Sequence, residues 1–568
     1  MHIDIVPNRK SAPAVLLRES YREGKKVRKR TLANLSALSV EQIDSIRRTL
    51  KGERLVPVSE LFATVRSFHH GHVLAVRTAM RRLGFESILA SRPCRERDLV
   101  VAMATAQILE PDSKLATTRW WHTTTLPESL GVSDANEDEL YAALDWLATR
   151  QKQVEKKLAA RHLSDGGLVL YDLSSSYFEG KTCPLAKLGH NRDGKKGKLQ
   201  VNYGLLTDGR GCPVAVSVFD GNTGDPKTLL PQVHKLKEEF GIDKLVLVGD
   251  RGMISQKQIN QLKEMNGVDW ITALKTGGIR NLVEDGAIQL GLFDEKNLFE
   301  LIHPDYPGER LVACRNPELA KLRAHKRQSL LDATTKELEK VRSMVLSGKL
   351  KGKDAIGLRI GKVVNKYKVA KHLILNIIDN GFDYSIDQTK VASEAALDGI
   401  YVIRTSVPKT KLDSNQTVLS YKRLSQVERA FRSLKSIDLE VRPIRHHQET
   451  RVRAHIFLCM LAQYVVHHMI DAWRPLLFCD EDQAAKETRD PVAPAKRSQS
   501  ALNKIASKLL DDGTPVHSFQ TLLKDLSTIV RNVCRRQAAS SGEPSFDMTT
   551  TPNLKQQRAL DLLEAIAV

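Results

Sequence analysis

What the sequence lacks narrows its class first. Seven cysteines (Cys94, Cys183, Cys212, Cys314, Cys459, Cys479 and Cys534) are scattered through 568 residues with no C-x-x-C pair among them. That argues against a zinc ribbon or a secreted disulfide framework and suits a reducing cytosol. No apolar run can cross a bilayer: the most hydrophobic stretch, Ile456 to Val466, falls short of the ~20 residues a spanning helix needs. The opening MHIDIVPNRKSAP has no apolar core of the signal-peptide kind, so a cytoplasmic protein with no membrane partner is expected. Internal repeats are also missing. Acidic residues are the scarcer charge, 67 against 87 basic ones, and the net charge of +20 favours a polyanionic partner, nucleic acid first. A basic but otherwise ordinary soluble enzyme is the plainer alternative.

A chain of this length outgrows a single hydrophobic core. Residues 14–35 read as two strands joined at Glu23-Gly24-Lys25, a basic hairpin with Lys25, Lys26, Arg28, Lys29 and Arg30 near its turn. Ser39 and Gln42 have the spacing of a capping box, and helical patterns run from about Leu74 to Ala90 and from about Glu137 to Arg161. Residues 1–160 are therefore expected to form a mostly helical region for DNA binding or dimerisation. At Gly167 the pattern changes to three short strands, GLVLYDLSSSYFEG, LQVNYGLLTDG and CPVAVSVFDGN. Asp225-Pro226 then reads as an N-cap and first helical position, and DKLVLVGDRG, a further helix and VDWITALK complete a βββαβαβ series. The helical crossover lets the fourth strand lie parallel beside the first. The expected fold class is α/β: an RNase H-like core of the retroviral-integrase type over 165–276 and 397–470, a large insertion at 277–396 and a helical C-terminal region at 471–568.

Within that core two carboxylates converge. Asp172 lies in the first strand and Asp250 ends the fourth, so parallel neighbours bring both to one carboxyl edge, where open α/β sheets place ligands. Alone, each could be a hydrogen-bond acceptor at a strand end. A third acid comes from YKRLSQVERAFRSLK, where Tyr421, Glu428 and Lys435 are seven apart and fall on one stripe of a continuous helix. Arg432 borders that stripe, and Leu424, Val427, Phe431 and Leu434 form the apolar stripe next to it. An ordinary amphipathic helix with solvated charges is compatible with the same spacing.

At this point the residues resemble the insertion-sequence-four superfamily of bacterial DDE transposases, whose third acid lies in a Y-x2-R-x3-E-x6-K signature. Tyr421, Glu428 and Lys435 match in order; the arginine position is Leu424, with Arg423 immediately before it. The resemblance extends to Gly249-Asp250-Arg251-Gly252, VFDGNTGD, RPIRHHQETRVRAHIFLCMLA and an ESYREGKKVR-like opening, roughly Glu19 to Gln463. It implies action on the ends of a mobile element, at the nucleoid, by a synaptic homodimer or higher oligomer that binds double-stranded DNA, both terminal inverted repeats and target. The expected cofactor is Mg²⁺, two ions about 3.5–4 Å apart with Mn²⁺ able to substitute, held by Asp172, Asp250 and Glu428 for strand cleavage and strand transfer.

Other residues are candidates for DNA contact. The resemblance implies that Tyr421 and Lys435 contact the phosphates beside the scissile bond, and Arg423 and Arg432 are further candidate DNA contacts. Arg445 and Arg451 lie in RPIRHHQETRVRAH, read as a DNA-lining segment in preference to a zinc site built on His446, His447 and His455. Trp270 precedes the insertion and could stack on an unpaired base, or simply be core. The basic hairpin Lys25–Arg30 could grip the terminal repeat. Three alternatives stay open: a non-catalytic DNA-binding derivative of a transposase, a tyrosine recombinase using Tyr464, and a structure-specific nuclease.

Overall fold

β1 (His2–Val6), β2 (Ala14–Glu23) and β3 (Lys26–Asn34) form an antiparallel sheet, and Gly24, at φ 61°, supplies the left-handed residue of the two-residue turn between β2 and β3. α1 (Val40–Leu50) follows, and its Ser39–Gln42 capping box is complete, each side chain bonding the other's backbone. β4 (Phe62–His69) belongs to a second sheet with two strands from far along the chain, Val530–Arg536 and Phe546–Thr549. The structure, a computed structural model, describes residues 1–9, 11–53, 55, 62–483, 489–493, 496–536 and 544–567. These elements make one compact unit, Met1–Phe68 with Ile529–Thr551; His69–Thr528 with Pro552–Val568 makes the other.

Packing thus divides the chain differently from the expected break at residue 160. α2 (Gly71–Arg82), α3 (Arg95–Leu109) and α4 (Glu137–His162) belong to the larger unit, because their apolar faces close on α11 (Glu449–Ala472). α11 is buried nearly all round, which accounts for the apolar stretch Ile456–Val466 as the centre of a helical layer. No helix among the described residues is long and apolar enough to cross a membrane. The predicted helix from Leu74 to Ala90 is interrupted at Gly84, which adopts φ 60°. The region 471–568 is not all helical, since it supplies the two strands that pair beside β4. Their Arg- and Thr-rich sequences, VRNVCRR and FDMT, carry little apolar alternation to mark them.

The larger unit is built on an eight-stranded sheet. β5 (Leu168–Tyr177), β6 (Gln200–Asp208) and β7 (Pro213–Asp220) form the antiparallel meander, and α5 (Asp225–His234) crosses over to β8 (Leu245–Val248). α6 (Gln256–Lys263) leads to β9 (Val268–Ala273); β8 runs parallel to β5 and β9 parallel to β8, as helical crossovers allow. Asp225 sits inside the first turn of α5, with Gly224 at the cap, and its carboxylate pairs with Arg192 (2.6 Å). One core packs Val169, Tyr171, Leu173, Leu245 and Leu247 of the sheet against Leu229, Val233, Ile259 and Leu262 of the crossover helices.

The segment 277–396 is not a body wholly apart. β10 (Leu298–Leu301) and β11 (Arg310–Arg315) extend the sheet itself, whose order is β10-β11-β14-β9-β8-β5-β6-β7 with β14 at Ile400–Thr405. Only the portion beyond β11 leaves the sheet. There, α7 (Pro317–Leu346), α8 (Lys353–Tyr367) and the hairpin β12 (Leu373–Ile378) and β13 (Gly381–Ile386) share a core around Leu338, Val341, Ile356, Ile360 and Phe382.

Candidate active site

The parallel register between β5 and β8 fixes the two aspartates. Leu168 lies opposite Val246 and Leu170 opposite Val248, a constant offset of 78. Carried two residues on, 172 + 78 = 250, so Asp172 and Asp250 stand abreast where β8 gives way to its turn. Asp250 is held there by that turn: its Oδ1 accepts the N–H groups of Gly252 (2.9 Å) and Met253 (2.8 Å). A Cβ at Gly252 would lie 3.3 Å from Asp250 Oδ1, so any side chain there would push the carboxylate aside by a few tenths of an ångström. Asp172 is half-buried between Tyr171 and Leu173, and its Oδ1 accepts the Leu173 N–H (2.8 Å).

Glu428 arrives on α10 (Leu424–Arg432), which packs against β5 through buried Val427, Ala430 and Phe431. Burial pushes the Asp172 carboxyl up to about 7, and the negative fields of Asp250 and Glu428 push the same way against Arg192 and the Leu173 amide. Three acids from distant parts of the chain therefore feel one another. Burial likewise raises the Tyr421 phenol to about 12, with Asp250 and Glu428 adding and Arg251 opposing. An all-oxygen, mutually repelling donor set fits hard divalent cations. Among the described residues, the groups whose ligand atoms close to within 4.8 Å do not include this trio.

The helix carrying the predicted stripe is not continuous. α9 (Ser414–Lys422) ends at Arg423, α10 begins at Leu424, and Ser433–Ile437 forms a wider π-type turn. Seven-residue spacing thus does not place Tyr421, Glu428 and Lys435 on one straight stripe. Tyr421 still lies beside the acids, whereas Lys435 turns inward: its Nζ donates to Asp193 Oδ1 (2.9 Å), and Arg442 donates to the same oxygen. The Asp193 side chain is only 2% exposed and also accepts the Tyr177 N–H (3.0 Å). Asp193, Arg192, Arg251 and Arg442 are neighbours that sequence reasoning missed. Asp193 sits in HNRDGKKGK, a charged loop that carries no periodic signal of its inward position.

The other candidates are dispersed. Arg432 is exposed, and Arg423 caps α9 near the β6–β7 turn. Arg445 stands 3.6 Å from Glu179. Arg451 is committed inside the protein, to Asp145 (3.0 Å) and over the Tyr141 ring (4.8 Å), and so ties α11 to α4. Trp270 corrects the stacking expectation: it is 3% exposed within the core between sheet and crossover helices, so its faces are not available to a base. His446 and His455 pack ring to ring at 5.0 Å, and with His447 they make no closed ligand set among the described residues. Lys25, Lys26, Arg28, Lys29 and Arg30 are all exposed on the hairpin of the smaller unit, three of them in ion pairs with Glu23, Asp4 and Glu19. A basic cleft of about 930 Å³, lined by Arg251, Arg280, Arg323, Lys326, Lys368 and Tyr421, opens beside the acids and reaches into the insertion.

Comparison with known proteins adds three findings. The family model described as "Transposase DDE domain" matches residues 171–465, and that of the "IS1634 family transposase, N-terminal domain" matches residues 3–56. No curated protein matches the chain. Among solved structures, a cryo-EM piggyBac transposase synaptic complex with hairpin DNA aligns with TM-score 0.33 and 9% identity, over 82% of this chain and 81% of that one.

Proposed function

The chain belongs to the DDE transposase family, enzymes that cut DNA, and from that premise we propose that Asp172, Asp250 and Glu428 are its acidic triad. The match over residues 3–56 makes it a bacterial insertion-sequence transposase. Its DNA is the terminal inverted repeat of such an element and then a target duplex, engaged by a synaptic homodimer or higher oligomer at the nucleoid. Within bacterial transposases, the spacing of Tyr421, Glu428 and Lys435 supports a place in the insertion-sequence-four superfamily.

The observation that carries the triad is the register that sets Asp172 abreast of Asp250, with the field of Glu428 reaching Asp172. These residues would hold divalent cations, Mg²⁺ by preference and Mn²⁺ by substitution, which when bound supply Lewis-acid activation of the attacking hydroxyl and charge relief at the leaving oxygen. The chain does the positioning. The Gly252 and Met253 amides fix the Asp250 carboxylate, and packing of α10 on β5 fixes the approach of Glu428. The Tyr421 phenol, kept protonated, donates a hydrogen bond to a phosphate beside the scissile bond, and the basic cleft guides the strand that leaves the site.

The test is Mg²⁺-dependent cleavage and joining of a duplex bearing the flanking element's end. Asp172→Asn, Asp250→Asn and Glu428→Gln should each retain DNA binding and lose both steps. Full activity in any of the three removes that residue from the triad, and wild-type cleavage without joining would make the protein a nuclease.

A further inference from the structure

Away from the carboxylates, three metal-ligating side chains converge from three different elements. His162 ends α4, Cys212 lies in the turn between β6 and β7, and His468 lies near the end of α11; one ligand atom from each falls within 4.8 Å of the others. Cys212 is fully buried, His468 nearly so, and His162 half-buried. Cys212 Sγ is 3.6 Å from His468 Nε2. Bond lengths of ~2.3 Å to sulfur and ~2.05 Å to nitrogen, at a tetrahedral angle, place two ligands of one zinc ion roughly 3.5 Å apart. The pair is thus already at the separation an ion would impose.

The surroundings suit ligation. His162 Nε2 is 3.0 Å from the Tyr464 hydroxyl, so an N–H donated there leaves Nδ1 as the free lone pair, the outer-shell arrangement common to metal-bound histidines. The Cys212 amide is anchored by Asp208 (2.9 Å), which also holds Arg210. The Arg210 Nη2 faces His162 Nδ1 at 3.5 Å and would have to yield that lone pair to an ion. A cleft of about 600 Å³ is bordered by Arg210, Gly211 and His467, chain neighbours of Cys212 and His468.

We propose that His162, Cys212 and His468 form a binding site for a zinc-class transition metal, separate from the acidic triad, that fastens α4, the β6–β7 turn and α11 together. Two nitrogens and a thiolate select such an ion over Mg²⁺. Without it, the same atoms hold a Cys212 S–H to His468 hydrogen bond.

The full-length reduced protein, stripped of metal, is titrated with Co²⁺ alone in Mg²⁺-free buffer. A near-ultraviolet thiolate-to-cobalt band with visible tetrahedral bands is expected. The band should vanish in Cys212→Ser, weaken strongly in His468→Gln and persist in Asp172→Asn, which separates this site from the triad. Zinc from a zinc-supplemented culture should survive dialysis at one ion per chain in the wild type and be lost from Cys212→Ser. Absence of the sulfur–cobalt band from wild-type protein that is folded by circular dichroism overturns the proposal. So does its persistence in Cys212→Ser.

Discussion

Asp193 balances Lys435 and Arg442 on one buried carboxylate oxygen, and its removal leaves two cations facing each other without an acceptor. Breaking a buried pair by deleting one partner costs roughly 3–5 kcal/mol, so Asp193→Ala should lower the unfolding free energy of the larger unit, measured by urea titration, by an amount in that range. Asp193→Asn, which keeps an acceptor, should cost less. Glu300 gives a pH signature. Its carboxyl is held down to about 2, chiefly by the hydrogen bonds from Arg310, with Ser414 and the nearby cations assisting. Because its folded value lies below the ordinary one near 4.5, the stabilisation is present above about 4.5 and is lost as the pH falls towards 2. Glu300→Gln should therefore cost about 1–3 kcal/mol at pH 7, less by pH 3 and little at pH 2 and below, read as converging denaturation midpoints. Gly252→Ala tests the turn that aims Asp250: cleavage should fall about 10- to 100-fold while the unfolding midpoint moves little.

At the scale of elements, the distal insertion is stabilised by its own small core, in which Leu338 is fully buried between α7, α8 and the β12–β13 hairpin. Leu338→Ala should cost about 2–5 kcal/mol and raise amide exchange in α7 and α8 first, while β5 and β8 stay protected. The βββαβαβ series is legible in sequence because each strand is a short apolar run closed by a turn, and the crossover rule leaves little choice of pairing. Asp172 and Asp250 are legible for the same reason, as charges interrupting otherwise apolar strand ends. Less legible is anything set by a break in a helix. The pattern from Tyr421 to Lys435 reads as one amphipathic stretch, and nothing in the residues at Arg423 or Ser433 marks the discontinuities that send Lys435 towards Asp193. Arg451 and Trp270 illustrate the other limit: a basic residue in a basic run and an aromatic near a site look available until packing assigns Asp145, Tyr141 and the core to them.

For the molecule as a whole, the charge of +20 makes DNA affinity a matter of salt. Each phosphate neutralised contributes a slope of about 0.9 in the logarithm of affinity against that of salt concentration. Replacing Lys25, Lys26, Arg28, Lys29 and Arg30 by alanine should flatten that slope by about two to four for terminal-repeat DNA, measured by fluorescence anisotropy. An unchanged slope would take the hairpin out of the DNA interface.

The smaller unit also sets an order of assembly. Along the chain His69–Thr528 of the larger unit separates its two halves, and the Ser67–Asn532 hydrogen bond joins residues 465 positions apart. At ~5–20 residues per second, β4 leaves the ribosome roughly 25–90 s before its partner strand exists. Through that interval its edge is an open template for other strands, while the larger unit still lacks its own last piece, Pro552–Val568. A chain halted before residue 530 would then carry the sheet with the acids but leave β4 without the strands that complete its own sheet.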